Sequence, residues 1–240
     1  MLPAQPNLGL LDGIRCIERI SLAREPIGAR ALSRELRLEP TRTHRLLKTL
    51  AHLGMVVQQP DRRYYLGPGA HVLSARGLER WRRGGNLDAV FGELQASVSH
   101  RVSLGVYWEG AISIIHDSEG GMDMAGSYGP SRLTGATESG LGLALLAEQP
   151  EGEVERVYWD RPIPGFAGGW TALRASLWEA KSQGFAYRRA ERAGERPSLG
   201  MPLKDGMSGL GLSGAIGEKE VGDLLFQLRR AVELLARDQL

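Results

Sequence analysis

Near the start of the chain, apolar residues recur every three to four positions. Leu10, Ile14, Ile17 and Leu22 alternate with Arg15, Glu18 and Arg19, which predicts an amphipathic helix over residues 10–23. Pro26 ends it. A shorter helix after Gly28 turns Ala31, Leu32 and Leu36 inward. A turn at Leu38 and Glu39 then leads to Pro40, which suits the first turn of a helix because its missing N–H is not needed there. At about 100° per residue, a third helix over residues 40–53 places Thr43, Leu46, Leu47, Leu50 and Leu53 on a buried face. Thr41, His44, Arg45, Lys48 and His52 fall on the opposite face, with Arg42 at its flank. Residues 55–58 and 64–66 read as strands around a Pro60-Asp61 turn, a hairpin with Arg62 and Arg63 at its tip.

Gly67, Pro68 and Gly69 then break the pattern. Val72, Leu73, Ala75, Leu78 and Trp81 mark an amphipathic helix that closes at Arg82-Arg83-Gly84-Gly85, the natural domain boundary. Asn86 is placed to cap a helix carrying Leu87, Val90, Phe91 and Leu94. Alternation follows: Val102, Leu104, Val106 and Trp108 oppose Ser103, Gly105 and Tyr107. After a Glu109-Gly110 turn, Ile112 and Ile114 continue it, predicting a hairpin with one buried face. Helices are expected at 137–147, 171–183 (closed by Gly184) and 218–236, and strands at 185–188, 199–203 and 210–216. Strands and helices mixed without regular alternation predict an α+β domain, a sheet flanked by helices.

Charge sharpens this division. Residues 1–83 hold 15 basic and 7 acidic side chains, a net +8, whereas residues 84–240 hold 15 and 21, a net −6. A basic block followed by an acidic one suits a chain whose first part alone meets a polyanion; chance segregation of surface charge is the competing reading. Cys16 is the only cysteine, so no disulfide framework or cysteine-rich zinc site can form within one chain, and Ile14, Ile17 and Ile20 beside it point to a core position. No apolar run approaches the roughly 20 residues of a membrane span, and no basic stretch precedes a hydrophobic signal core, so a soluble, cytoplasmic protein is expected.

A cationic helix face is by itself commonly just solvated, and arginines at a turn can serve only solubility. Together, a cationic third helix and an arginine-tipped hairpin predict a winged helix-turn-helix that binds double-stranded DNA. The stretch from Leu32 to Gly67, LSRELRLEPTRTHRLLKTLAHLGMVVQQPDRRYYLG, resembles the DNA-binding domain of IclR-family transcriptional regulators, above all in Thr41-Arg42-Thr43-His44-Arg45-Leu46-Leu47. The resemblance implies that Thr41, Arg42, Thr43, Arg45 and Lys48 lie in or beside the major groove, where His44 of the same polar face is expected to join them, and that Ser33 and Arg34 set the second helix on the backbone. It implies Arg62 and Arg63 on the wing, and a homodimer, or a homotetramer of paired dimers, acting on operator DNA as a repressor or an activator. The domains expected are 1–69 for DNA binding, 70–84 as a linker helix that contributes to dimerisation, and 85–240 for effector binding.

Residues 84–240 resemble that family's GAF/PAS-like effector domain less closely. GPSRLTGATESGLGLALL, from Gly129 to Leu146, parallels the loop and helix over the ligand, and MPLKDG with GLGLSG parallels the final hairpin. The effector positions implied are Glu138, Ser139, Arg188, Ser198, Gly211 and Ser213. Where the family carries His-Ala-Thr, a lysine, an acidic pair and a cysteine, this chain has Gly135-Ala136-Thr137, Leu141, Arg188-Arg189 and Ser198. The expected effector is a small organic acid, its carboxylate met by serine hydroxyls, backbone N–H groups and Arg188. Arg188 could instead pair with Glu138 or be a solvated surface arginine.

An enzyme is not expected. Gly209-Leu210-Gly211-Leu212-Ser213-Gly214 fits GxGxxG, yet it alternates as a strand does and lies too near the chain end for a full βαβ unit. His44, His52, His71, His100 and His116 have no carboxylate or cysteine partner at ligand spacing, and no serine completes a nucleophile elbow. Neither a cofactor nor a metal is expected.

Overall fold

The computed structural model describes residues 5–83, 87–118, 133–190 and 195–237. The chain divides into two compact units, residues 1–83 and 84–240. Together they make an α+β protein with an N-terminal helix-turn-helix, and no helix among the described residues is long and apolar enough to cross a membrane.

The first unit runs α1 (Leu8–Ser21), β1 (Ile27–Gly28), α2 (Ala29–Leu36), α3 (Pro40–His52), β2 (Val56–Gln58), β3 (Arg63–Leu66) and α4 (Pro68–Arg83). Its core is Cys16, Ile20, Leu32, Leu47, Leu50, Val56 and Tyr64. Cys16 is fully buried, as its neighbours suggested. The face of α1 differs from the predicted one: Asp12, Gly13, Cys16 and Ile20 are buried, whereas Leu10, Ile14 and Leu22 are exposed. The buried line runs 12-16-20 at helical spacing, and its polar first member is satisfied by an arginine of α3. Leu53 is exposed too, because α3 ends at His52 and the chain leaves the apolar stripe there.

The two-residue β1, too short to show a period, pairs antiparallel with β3 and makes a three-stranded sheet in the order β1-β3-β2. Gly67-Pro68-Gly69 starts α4 rather than interrupting the chain. The N–H groups of Gly67 and Gly69 donate to Met55 and Gly54 carbonyls, both at 2.8 Å, and a Cβ on Gly67 would lie 2.2 Å from the Gly54 oxygen. On α4, residues 71–77 are all exposed, Val72 and Leu73 included. The side chains of Leu78 and Trp81 lie outside the described set.

The second unit comprises α5 (Leu87–Ser97), β4 (Arg101–Trp108), β5 (Ala111–Asp117), β6 (Leu133–Gly135), α6 (Gly140–Glu148), α7 (Glu151–Tyr158), α8 (Gly169–Gln183), β7 (Ala186–Arg188), β8 (Ser198–Pro202), β9 (Ser208–Ser213) and α9 (Val221–Arg237). Asn86, the predicted cap of α5, and residues 129–132 of the predicted ligand loop lie outside the described residues. Six antiparallel strands form one sheet in the order β6-β5-β4-β9-β8-β7. Helices cover both faces, α6 backed by α8 on one and α5 with α9 on the other.

This overturns the reading of β4 as half-solvated. Tyr107 is buried under the α6 side, Val102 and Leu104 are buried under the other, and Trp108 is exposed. The Glu109-Gly110 turn does form, with both residues at positive φ, as the two-residue hairpin loop requires. A register shift where Leu104 and Gly105 meet His116 and Ile114 sends His116 against Phe91 of α5 and Asp117 to the opposite face. Short α7 and β6 escape the sequence pattern.

Glycines allow α6 to sit almost on the strands. A Cβ on Gly200 would lie 2.2 Å from both Cα and N of Leu141, and one on Gly209 or Gly211 would meet Leu141 side-chain atoms at 2.9 or 3.0 Å. The helix answers with its own small residue, since a Cβ on Gly140 would lie 2.4 Å from the Ser198 carbonyl oxygen. The GxGxxG stretch is therefore strand β9 lying under a helix, the close backbone approach that interior strand glycines commonly mark.

Candidate nucleic-acid interface and ligand site

Two terminus devices set α3. Arg37 takes the left-handed conformation at the end of α2, and Leu38 N–H returns to the Ser33 carbonyl at 2.9 Å, a Schellman closure that turns the chain sharply. Glu39 then caps α3, its carboxylate accepting from Thr41 N–H at 2.9 Å and Arg42 N–H at 2.7 Å, ahead of Pro40 at the first helical position. Those two backbone donors hold the Glu39 carboxyl below its ordinary pKa. Thr41, His44, Arg45, Lys48 and His52 all lie exposed on the outer face.

The remaining first-domain positions divide. Thr43 is fully buried and its hydroxyl donates to the Glu39 carbonyl at 3.1 Å, so it cannot reach a groove. Ser33 is buried as well and donates to the Leu38 carbonyl at 2.7 Å; it fastens the turn and has no path to a phosphate. Arg42 is half-exposed and paired with buried Asp12, Nη2 to Oδ2 at 2.6 Å, with Arg15 at 3.7 Å on the other carboxylate oxygen. Arg34 is exposed.

In the hairpin, Arg62 N–H donates to the Gln59 carbonyl and Gln59 N–H to the Arg63 carbonyl, which leaves Arg62 at φ +64° on the tip. Arg63 begins β3, opposite Gly28 and 3.6 Å from Asp61. Among the described residues, Arg34, Arg45, Lys48 and Arg62 have no carboxylate partner.

In the second unit the strand register, more than sequence proximity, assembles a candidate site. Arg188, Ser198, Ser213 and Arg101 are successive partners across β7, β8, β9 and β4, and therefore share one face. That is the α6 face, and the start of α6 rests on it: Gly140 N–H donates to Ser198 Oγ at 2.9 Å while Ser139 Oγ accepts from Gly142 N–H at 3.0 Å. The row thus combines two hydroxyls, a helix N-terminus and a cation at each end.

Arg101 was missed in the sequence, though it stands in phase with Ser103 and Gly105, not with Val102. Its guanidinium clasps the buried Asp117 carboxylate through Nε, at 2.7 Å from both oxygens, and through Nη2. Arg188 reaches the other way, 5.9 Å from the centre of the Phe166 ring, into a cleft of about 680 Å³ also lined by Gly165, Ser176, Gln183 and Tyr187. No carboxylate pairs with it among the described residues.

Two of the six implied effector positions do not fit. Gly211 faces Leu141 with no room for a ligand. Exposed Glu138 spends its carboxylate on Gly135 N–H at 2.8 Å and forms no pair with Arg188. Among the described residues no three His, Cys, Asp or Glu side chains gather as a metal site. Burial against Phe91 holds His116 below its ordinary pKa.

Residues 13–60 match the model of the IclR helix-turn-helix domain. No curated protein matches the chain. Among solved structures, an IclR-assigned transcriptional regulator from Silicibacter sp. TM1040 is 18% identical with a TM-score of 0.76, the match covering 95% of each chain. An IclR family transcriptional regulator from Brucella abortus is 17% identical at 0.75, covering 97% of this chain and 93% of that one. An IclR homolog from Microbacterium hydrocarbonoxydans, solved with 4-hydroxybenzoate, is 21% identical at 0.62, covering 96% and 98%. At these identities the likeness is one of fold.

Proposed function

We propose that this chain is an IclR-type DNA-binding transcriptional regulator, a reading supported by the helix-turn-helix match over residues 13–60 and by its fold, and that its affinity for operator DNA is set by a small organic acid held in the second unit. The observation that carries this reading is the cross-strand row of Arg188, Ser198, Ser213 and Arg101 at the start of α6. A carboxylate there would meet hydroxyl donors and the positive end of a helix, and the guanidinium of Arg188, free of any described carboxylate, would swing from Phe166 to join them. That a fold relative was solved with 4-hydroxybenzoate makes this acid the first to try.

Within the first unit, Thr41, His44, Arg45 and Lys48 are the groove-facing set, Arg34 and Arg62 contact phosphate, and Arg42 stays with Asp12. The exposed Val72 and Leu73 of α4 meet a second copy, giving a dimer, and two dimers can form a tetramer. Domain roles follow: residues 1–69 bind DNA, 70–84 link and 85–240 sense. If the acid prefers one dimer arrangement by a few kcal/mol, the spacing of the two recognition helices changes, and half-site spacing converts that into affinity.

The test has two arms. Calorimetric titration of 4-hydroxybenzoate and short aliphatic acids into wild-type protein and Arg188→Ala should show binding that the substitution weakens; equal affinity removes the arginine's role. A mobility shift with the DNA upstream of its own gene, at two salt concentrations and with or without the bound acid, should show specific binding that the acid alters.

A further inference from the structure

The arginines of the first unit fall into two groups. Arg19 is paired with Glu35, Arg42 with Asp12 and Arg63 with Asp61. Arg24, Arg30 and Arg34 have no carboxylate partner among the described residues, and all three are exposed. These three line a single groove of about 640 Å³, with Pro26, Ile27 and Gly28 between them, Arg19 and Arg63 also on its lining and Glu25 as its one acid. The groove thus draws cations from the end of α1, the following loop, α2 and the start of β3 beside the hairpin turn.

Nothing inside the domain explains the arrangement. Arg30 and Arg34 are four residues apart on α2, a spacing at which like charges repel and destabilise an isolated helix. Arg24 beside them brings three guanidinium groups without a carboxylate partner to one groove, against the single acid Glu25, and the local positive potential that results is one a polyanion would relieve. A chain of phosphates fits better than a single anion, because the cations come from four elements and no buried polar side chain closes a pocket around one.

We infer that this groove is a second DNA contact, a track for the sugar-phosphate backbone beside the duplex segment whose major groove receives α3. The inference rests on the DNA reading above and adds Arg24 and Arg30, two residues outside the groove-facing set, as sequence-independent contacts. Backbone neutralisation releases counterions, so each phosphate contact contributes about 0.9 to the slope of log affinity against log salt. Base-reading residues have their main effect on sequence preference.

The experiment measures binding of full-length protein to a labelled 40-base-pair duplex (a roughly chosen length) of arbitrary sequence between 50 and 200 mM salt, near the range where such slopes are read. The double variant Arg30→Ala/Arg34→Ala should lose about 1.8 from the slope, so its deficit against wild type shrinks roughly tenfold across that range. Arg24→Ala should lose about half as much, while Arg30→Lys/Arg34→Lys should keep the wild-type slope. Arg24 lies in a loop, so it serves should the α2 variants unfold. A double variant that melts as wild type does and keeps its full slope overturns the track while leaving α3 as the groove reader. A wild-type protein that binds no duplex overturns the DNA reading and the track together.

Discussion

Gly200→Ala isolates the fit between helix and sheet. The added methyl would lie 2.2 Å from Cα and N of Leu141 and 2.5 Å from the Gly140 carbonyl carbon, where ordinary contact begins at 3.4 Å. All of these atoms are backbone, so no rotamer change relieves the clash and α6 must withdraw by about 1 Å, given how little slack packed interiors hold. Residues 140–147 are buried throughout, so withdrawal loosens contacts along the whole helix. Overpacking typically costs 1–3 kcal/mol, and an immovable neighbour places this case at about 3 kcal/mol. For a unit of this size that lowers Tm by roughly 6–12 °C.

Differential scanning calorimetry would read the shift, with Gly222→Ala as control. Nothing lies within 4 Å of a Cβ there, and an alanine in α9 should be neutral or slightly stabilising. The substitution should also weaken organic-acid binding, because moving Gly140 breaks its bond to Ser198. A Gly200→Ala protein melting within about 2 °C of wild type would show that the helix is not seated on the strands as described.

Four further substitutions probe the first unit. Arg42→Ala leaves the buried Asp12 carboxylate with only Arg15 at 3.7 Å, so it should cost more, about 2 kcal/mol, than Asp12→Asn, which frees an arginine already near water; denaturant melts that reverse this order refute the pairing as drawn. Arg62→Gly removes a left-handed side chain and should be neutral or raise stability by up to about 1 kcal/mol while flattening the salt dependence of DNA binding, so a gain in stability with an unchanged slope would take Arg62 off the DNA. Burial, and then the charge of Asp12, push the Cys16 thiol up from 9.0 to about 11. The folded state therefore keeps its proton where the unfolded chain loses it, and stability should be level below pH 9.0 and fall as pH rises toward 11. Cys16→Ala should remove the part of that fall that begins near pH 9.0 and leave the part above pH 10.0, where burial also raises the phenols of Tyr64, Tyr107 and Tyr158; an identical fall in the variant assigns it elsewhere.

How much the sequence discloses depends on how many faces an element buries. Helix α3 has one apolar and one wet face, so period alone places Leu47 and Leu50 inside and Arg45 and Lys48 outside. Thr43 reads ambiguously because its hydroxyl can either reach outward or bond back four residues; the backbone bond to Glu39 decides it. In α1 the misleading signal is Asp12, a charge that periodicity assigns to solvent and that only a partner thirty residues away allows inside.

The sheet of the second unit buries both faces, so polarity does not tell covered from solvated. Along β4, Ser103 and Gly105 face α6 together with Arg101 and Tyr107, while Val102, Leu104 and Val106 face α5 and α9, so an apolar face is legible on one side only although both are covered. The same ambiguity hides the proposed ligand site. Ser198 is legible only by likeness to other chains, and Arg101 not at all, because what joins them is a hydrogen-bond register across strands about a hundred residues apart in sequence. A residue's face can be counted along the chain, whereas its neighbours across a sheet are fixed by topology. Sequence reading therefore goes further for a surface carried by one helix, as on α3, than for a row assembled from four strands.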